Sequence, residues 1–400
     1  MPEASRRPPT IVLGSMPAGL GALRAIGRRR LGVFALPESQ PLLRWSRYYS
    51  KLPGTREPID PPTVETLEDA VAHSGLGEAV LLPCSDDWAA VVAEWADSKP
   101  GSSFGSAVAA PSTLALFQNK AEFGALLKQL AVPHPATISV DRIADLDPIP
   151  DSVFASAFLK PRDSQAFSGI FHRKAWWIPS RAKAVECLQR AEQAGLGMVV
   201  QQYVGGGPER HVFLDGYCSS KGVVEALFAR RRLDMFPADF GNSTTMVSIE
   251  LAEVSEAAES LRKIFSATSY RGIFSAEFKQ DPIDGLFRLI EVNTRPWLFV
   301  DFAARCGVDV CYLYYLDALG QPLPATKRYR TGVRCINPRT ESYRLRAEGA
   351  GVGRWVRWLG QCTTTLQPVG AFDDPLPGLV TAVSLAAAFV RHRFRPAVPG

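Results

Sequence analysis

The chain has 400 residues, of which 46% are hydrophobic and 21% charged. That is material for two or three domains with a sizeable core, and unlike a disordered chain. The net charge of +5 suits a small polyanionic partner but is too weak to argue for nucleic acid. The seven cysteines are scattered, without Cys-x-x-Cys spacing, which argues against a disulfide frame or zinc site and for a reducing cytoplasm.

A basic, Pro-rich start without a signal-peptide pattern leads into the buried-strand run Thr10-Ile-Val-Leu-Gly. A Gly-interrupted helix over Gly19–Arg30 and a strand from Gly32 follow. A second unit runs through the helix Val64–His73, the strand Ala79–Pro83 and the helix Asp87–Trp95. This alternation predicts a small parallel sheet with crossover helices. Gly14, Gly19 and Gly21 fall at the first strand–helix turn, where open parallel sheets bind ligands, although their spacing fits no phosphate-loop motif. Asp86, after the Ala79–Pro83 strand, reads equally as a helix cap or as a ligand contact. A domain boundary is expected near Ser112. Lys120–Leu130 reads as a helix with Phe123, Leu126, Leu127 and Leu130 on one side, stopped by Val132-Pro133-His134-Pro135.

Phe158-Leu159-Lys160-Pro161 is an apolar strand ending in a lysine, followed by a small-residue loop over Ser164–Gly169. An ammonium beside a loop of backbone N–H groups suits a triphosphate; a solvated strand edge is the competing reading. Met198-Val-Val-Gln201-Gln202-Tyr203-Val204 is a strand leaving into Gly205-Gly-Gly-Pro-Glu209, either an ordinary turn or an edge of backbone open to a ligand. Arg230-Arg231-Arg232, placed between a strand and a Gly-Asn-Ser loop, reads as a solvated face or as an anion site. His134, His172 and His211 share no metal spacing and read as structural. No Gly-x-Ser-x-Gly or Cys/His arrangement supports covalent catalysis by the chain.

The densest pattern is Tyr270–Trp297. Two apolar-alternating runs flank Asp281-Pro-Ile-Asp-Gly285, which reads as a hairpin connection. A period of two puts Ser275, Glu277 and Lys279 on one face and Phe274, Ala276 and Phe278 on the other. In the second run Leu289, Glu291 and Asn293 alternate with Ile290 and Val292. Folding back around the turn brings Glu277 opposite Glu291. Two carboxylates and an amide oxygen so placed form an oxygen-ligand set for Mg²⁺; like charges opposed on a ladder destabilise it unless a cation lies between them.

Glu277, Phe278-Lys279 and Glu291-Val-Asn-Thr-Arg295-Pro-Trp297 resemble the metal-binding end of ATP-grasp ligases. Within that family they look most like the predicted carboxylate–amine ligases related to D-aspartate ligase and the carbamoyl-phosphate synthase ATP-grasp domain. Asn119-Lys120-Ala-Glu-Phe through Pro135-Ala-Thr137 resembles the opening of the same fold. The matching segments cover roughly residues 112–320.

The resemblance implies an α/β ATP-grasp fold: an N-terminal Rossmann-like parallel-sheet domain (1–111), an ATP-grasp domain (112–326, its lid subdomain about 130–204) with a mixed-sheet catalytic lobe, and a C-terminal subdomain (327–400). It implies ATP and Mg²⁺ (Mn²⁺ as a substitute), with the metal on Glu277, Glu291 and Asn293 and the phosphates on Lys120 and Lys160. Ser164, Ser168 and Gly169 belong to the implied phosphate flap. Gln201, Gln202, Tyr203 and Val204 form the implied adenine hinge, Glu209 the ribose contact, and Arg295 with Arg232 the groups facing the transferred phosphoryl. Asp86 becomes a candidate acceptor contact. The implied activity is ATP-dependent amide or peptide bond formation through an acyl phosphate, releasing ADP and phosphate, in the cytoplasm, with small carboxylate and amine substrates and no nucleic acid. Carboxylation through carboxyphosphate and a non-catalytic ATP-binding role are the competing readings. Residues past about Lys327 read as less regular. The apolar run Leu379–Val390, ending in Arg391-His-Arg-Phe-Arg395, is too short to cross a membrane. It reads as a packed terminal helix, with peripheral contact to acidic lipid as the alternative.

Overall fold

The computed structural model describes residues 7–14, 17–36, 42–162, 164–238, 240–325 and 328–393. Three sheets organise it. The first is a parallel sheet of β1 (Thr10–Leu13), β2 (Val33–Ala35), β3 (Ala79–Pro83) and β4 (Phe104–Gly105) in the order β2-β1-β3-β4. All of β1 and β3 is buried, as continuous apolar runs in a sheet covered on both faces should be. The crossover helix is Ala18–Arg28. Gly19 and Gly21 therefore lie inside this helix and not in the turn. A Cβ on Gly21 would come within 2.4 Å of Val300 Cγ1, so this glycine lets two helices touch. Gly14 does occupy the turn, at φ +103°, where only glycine is unstrained.

The second sheet, antiparallel in the order β5-β8-β6-β7, contains β5 (Thr137–Val140), β6 (Ala157–Pro161), β7 (Trp176–Trp177) and β8 (Met198–Gln202). It packs its outer face on the helix Arg181–Gln193 around Leu159, Leu188 and Val200. Ser164–Phe171, expected as a loop, is a helix. Phe167 and Phe171, four residues apart and so on one helical face, close on Trp176 with ring centroids 4.7 Å away in both cases.

The third sheet has six strands: β9 (His211–Cys218), β10 (Val224–Phe236), β11 (Asn242–Ser248), β12 (Gly272–Gln280), β13 (Phe287–Asn293) and β14 (Arg334–Ile336). Their order is β13-β12-β9-β10-β11-β14. Phe274, Ala276 and Phe278 are fully buried beneath the helix Ser255–Thr268. The expected hairpin is β12–β13, and its register pairs Glu277 with Glu291 and Ser275 with Asn293. The alternation does not continue unbroken. A register shift after Glu277 pairs Phe278 with Leu289, leaving Ile290 as the extra residue of a bulge. Leu289 thus moves from the predicted polar face to the core, where it is buried with Val292.

Residues beyond 327 are more regular than expected, with helices Pro338–Ala347, Val352–Thr364 and Leu376–Arg393. Buried Arg24 donates from Nε to Asp374 at 2.9 Å, and Arg28 donates to Asp373 at 2.7 Å, tying the C-terminal segment to the first crossover helix. No helix among the described residues is long and apolar enough to cross a membrane. Phe394 and Arg395 of the basic terminal run lie outside the described residues.

Candidate active site

A cleft of about 480 Å³ lies between the second sheet and the third, closed at one side by the helices Lys120–Gln129 and Asp86–Ser98. Lys120, Lys160, Gln201, Glu291 and Asn293 all line it, with Asp86 and Thr137. Strand geometry explains the convergence. Lys160 and Phe158 point away from the core beneath the second sheet because Leu159 between them faces into it. Gln201, paired with Phe158 across the ladder, emerges on the same face, and its Nε2 donates to Thr137 Oγ1 at 3.0 Å.

Charge is concentrated around the opposed glutamates. Glu277 Oε1 lies 3.0 Å from Arg232 Nη2 and 2.6 Å from His211 Nδ1. Lys160 Nζ sits 3.7 Å from Glu291 Oε2. Burial would raise the pKa of Glu277, but Arg232, His211 and Lys160 outweigh it and hold the carboxylate well below its ordinary range. Burial lowers His211 and Arg232 from their usual values. Lys279, whose ammonium lies 4.6 Å from the centroid of the Tyr203 ring, is pushed down to about 8 by burial and by Arg232. Lys174, exposed in residue terms, donates to Asn242 at 2.7 Å, and protein packs around its ammonium. That enclosure lowers its pKa against the pull of Glu291 and Glu277. Four cations thus surround two carboxylates, an excess of positive charge suited to phosphate oxygens.

The three arginines of β10 separate cleanly. They lie within one 13-residue strand, not between a strand and a loop. Arg230 is buried against Asp215 at 2.5 Å, with Ser275 bonded to the same carboxylate. Arg231 pairs with Glu253 on the exposed side. Only Arg232 reaches Glu277. Ser275 and Lys279 are correspondingly buried, so the β12 side of the polar face carries a buried charged network, while Glu291 on β13 stays exposed.

Arg295 is held at two points by Asp86, Nε to Oδ1 at 3.0 Å and Nη2 to Oδ2 at 2.9 Å. The cap of the helix beginning at Asp86 is Ser85, which accepts from Trp88 N–H, so Asp86 is released from that role. Lys120 Nζ donates to the carbonyls of Pro161 and Arg162, the latter at 2.7 Å, and so touches the end of β6.

Other expected residues lie apart. Gln202 is exposed. Tyr203 packs edge-on to Phe158 and Trp177. Val204 is buried, and Glu209 is exposed in the short 3₁₀ turn Pro208–Arg210. Ser168 donates to Arg173 O, and Gly169 is in the helix Ser164–Phe171; the side chain of Ser164 is outside those described. Sequence reasoning missed Lys174 and the contact of His211 with Glu277. The register pairs His211 with Lys279, so the period-two reading of β12 carried a signal for His211 once its neighbour strand was known; Lys174 had none.

The donor set of Glu277, Glu291 and Asn293 offers oxygen only, from a cross-strand pair and a residue two further along the second strand, which fits Mg²⁺. Asn293 Nδ2 donates to Glu291 Oε1 at 3.2 Å, holding these two together. Among the described residues no group of three or more His, Cys, Asp or Glu is placed to hold a metal ion.

No protein-family model and no curated protein matches the sequence. Solved structures do resemble the fold. A carboxyaminoimidazole ribonucleotide synthase from Aspergillus clavatus, complexed with ATP, superposes at TM-score 0.63 with 15% identity, covering 83% of this chain and 82% of that one. An L-amino acid ligase from Bacillus licheniformis gives 0.59 and 15%, covering 82% and 79%. The biotin carboxylase domain of Hydrogenobacter thermophilus 2-oxoglutarate carboxylase, in complex with MgADP and bicarbonate, gives 0.63 and 16%, covering 81% and 73%.

Proposed function

We propose that this chain, which has the ATP-grasp fold, is an ATP-dependent carboxylate–amine ligase. The observation that carries this reading is the pairing of Lys160 with Glu291 on the wall of the cleft between two sheets and of Arg232 with the opposed Glu277 beside it. We divide the chain accordingly at about residues 111 and 326, with the lid subdomain at about 130–204, and assign it to the cytoplasm.

In this reading the triphosphate lies along Lys120, Lys160 and Lys174, with the adenine against Gln201–Val204 and the ribose at Glu209. Glu277, Glu291 and Asn293 would hold Mg²⁺, which supplies neutralisation of phosphate charge; Mn²⁺ is the substitute. A substrate carboxylate oxygen attacks the γ-phosphorus and ADP leaves, giving an acyl phosphate. The amine nitrogen then attacks the acyl carbon, inorganic phosphate departs, and the ammonium centre loses a proton. Lys160, Arg232 and Arg295 are the chain's cations for the oxygen charge that develops. Asp86 holds Arg295 until a substrate anion competes for it, and the chain contributes no nucleophile.

Purified protein with Mg·ATP and a panel of acids and amines should release ADP and phosphate only when both substrates are present. Glu291→Ala with Asn293→Ala should abolish the release; turnover by that double variant would sink the metal assignment. Carboxylation is the second reading, favoured by the fold likeness to a carboxylase domain. Bicarbonate-dependent ADP release without any added acid would establish it instead.

A further inference from the structure

A second cavity, of about 830 Å³, lies among the three C-terminal helices. Its size is that of a small-molecule site. Trp355, Trp358, Leu359, Val369 and Leu385 are among its lining residues, together with Leu298 from the segment after β13. The helix Val352–Thr364 has no buried residue. Its Trp355, Trp358 and Cys362 share the face lining the cavity, while Arg357 lies on the far side of the helix. A helix that presents two tryptophans to an open volume of this size has apolar surface left to cover.

Two observations point to what fills it. The indole N–H of Trp358 is shielded from solvent and has no hydrogen-bond partner among the described residues; such donors normally meet an acceptor. At the rim, Arg339 donates to Tyr343 OH at 3.2 Å, placing positive charge at an otherwise apolar mouth. The chain also ties the cavity wall to Arg295. Leu298 follows Arg295 by three residues, which limits their separation to about 11 Å, and Arg295 is fixed to Asp86 on the wall of the nucleotide cleft.

We propose that this cavity receives the apolar part of the acid substrate: an aryl or medium-chain alkyl carboxylic acid. Its body lies between Trp355 and Leu385, an acceptor atom meets Trp358 Nε1, and its carboxylate is directed toward Arg295. Calling the ligand a substrate rests on the ligase reading; binding to the cavity does not.

The test uses the full chain with octanoate, 3-phenylpropanoate and 3-(4-methoxyphenyl)propanoate, with acetate and aspartate as polar controls. Binding is followed by tryptophan fluorescence and calorimetry, and ADP release is measured in parallel with an amine panel. The apolar acids should bind at least about tenfold more tightly than acetate. Ala382→Trp, which fills the cavity from the exposed side of its helix, should weaken them by a similar factor. Ala386→Trp, one turn on, serves the same purpose should the first variant lose its native circular dichroism. Trp358→Phe keeps the apolar wall and should erase any advantage of the methoxy acid over 3-phenylpropanoate. Equal binding by the wild type and both filled variants would overturn the proposal, as would ADP release driven by the polar acids alone; in that case the ligase reading stands. Binding blocked by the filled variants, with no ADP release from any acid, supports the cavity site and removes the ligase reading.

Discussion

Arg295 and Asp86, 209 positions apart, meet through two parallel hydrogen bonds of 3.0 and 2.9 Å that join the end of the β12–β13 hairpin to the first helix turn after β3. A fork–carboxylate pair fixes orientation as well as distance, so the parallel-sheet domain helps to aim the arginine at the cleft. Arg295→Lys keeps the charge and loses the fork. Its ADP release should fall by about 10²-fold or more, the usual scale for a misplaced transition-state donor. Asp86→Asn should fall less, and the double variant should fall less than the product of the two. Because the pair is partly exposed, unfolding midpoints should hardly move. Steady-state kinetics with urea denaturation on the four proteins would check this.

The two opposed glutamates should separate in stability. Glu277 neutralises the nearly buried Arg232, and removing one partner of such a pair costs about 3–5 kcal/mol. Glu277→Ala should therefore be both inactive and clearly destabilised. Glu291 is 46% exposed, so Glu291→Ala should be inactive with stability within about 0.5 kcal/mol of the parent. Equal denaturation midpoints for the two variants would contradict the buried Arg232–Glu277 contact.

The three consecutive arginines predict three phenotypes. Arg230→Ala strands the fully buried Asp215 and should destabilise by about 3–5 kcal/mol. Arg231→Ala should be neutral in both assays, since its partner Glu253 is exposed. Arg232→Ala should lose ADP release. Thermal melts and turnover on the three variants would read this pattern directly.

Acid sensitivity should have a source far from the cleft. Hydrogen bonding to Arg28, against some desolvation, depresses Asp373 well below the ordinary carboxylate range. Its folded pKa lies below the unfolded value of about 3.9. The stabilisation is therefore present above about pH 4 and is lost as pH falls toward the folded value. Asp373→Asn should lower stability at neutral pH and flatten its decline below about pH 4. Melting temperatures from neutral to acid pH on both proteins would show whether the slopes differ.

The opposed glutamates were legible because they are local in sequence. Glu277 and Glu291 sit on one hairpin, and a period of two with a readable turn brings them together. What the pattern could not give were departures from regular geometry and contacts between distant segments. The bulge at Ile290 sends Leu289 inward, and strict alternation has no way to anticipate an extra residue. Ser164–Phe171 looks like a loop by its small residues, but Phe167 and Phe171 find Trp176 and the segment coils. Lys174 lies in no motif and reaches the site only because β7 pairs with β6. The cap at Ser85, one residue before Asp86, decides which of two adjacent polar side chains is available to Arg295.

The thiols give the protein a built-in reporter. Six of the seven cysteines are buried; Cys362 alone is half-buried, on the wall of the C-terminal cavity. Its pKa is raised to about 11, mainly by burial, so a thiol-reactive dye should attach slowly at neutral pH and faster as the solution becomes alkaline. One fluorophore would then sit in the cavity of the otherwise unaltered chain, and its rate of attachment would itself register whether the space beside it is filled.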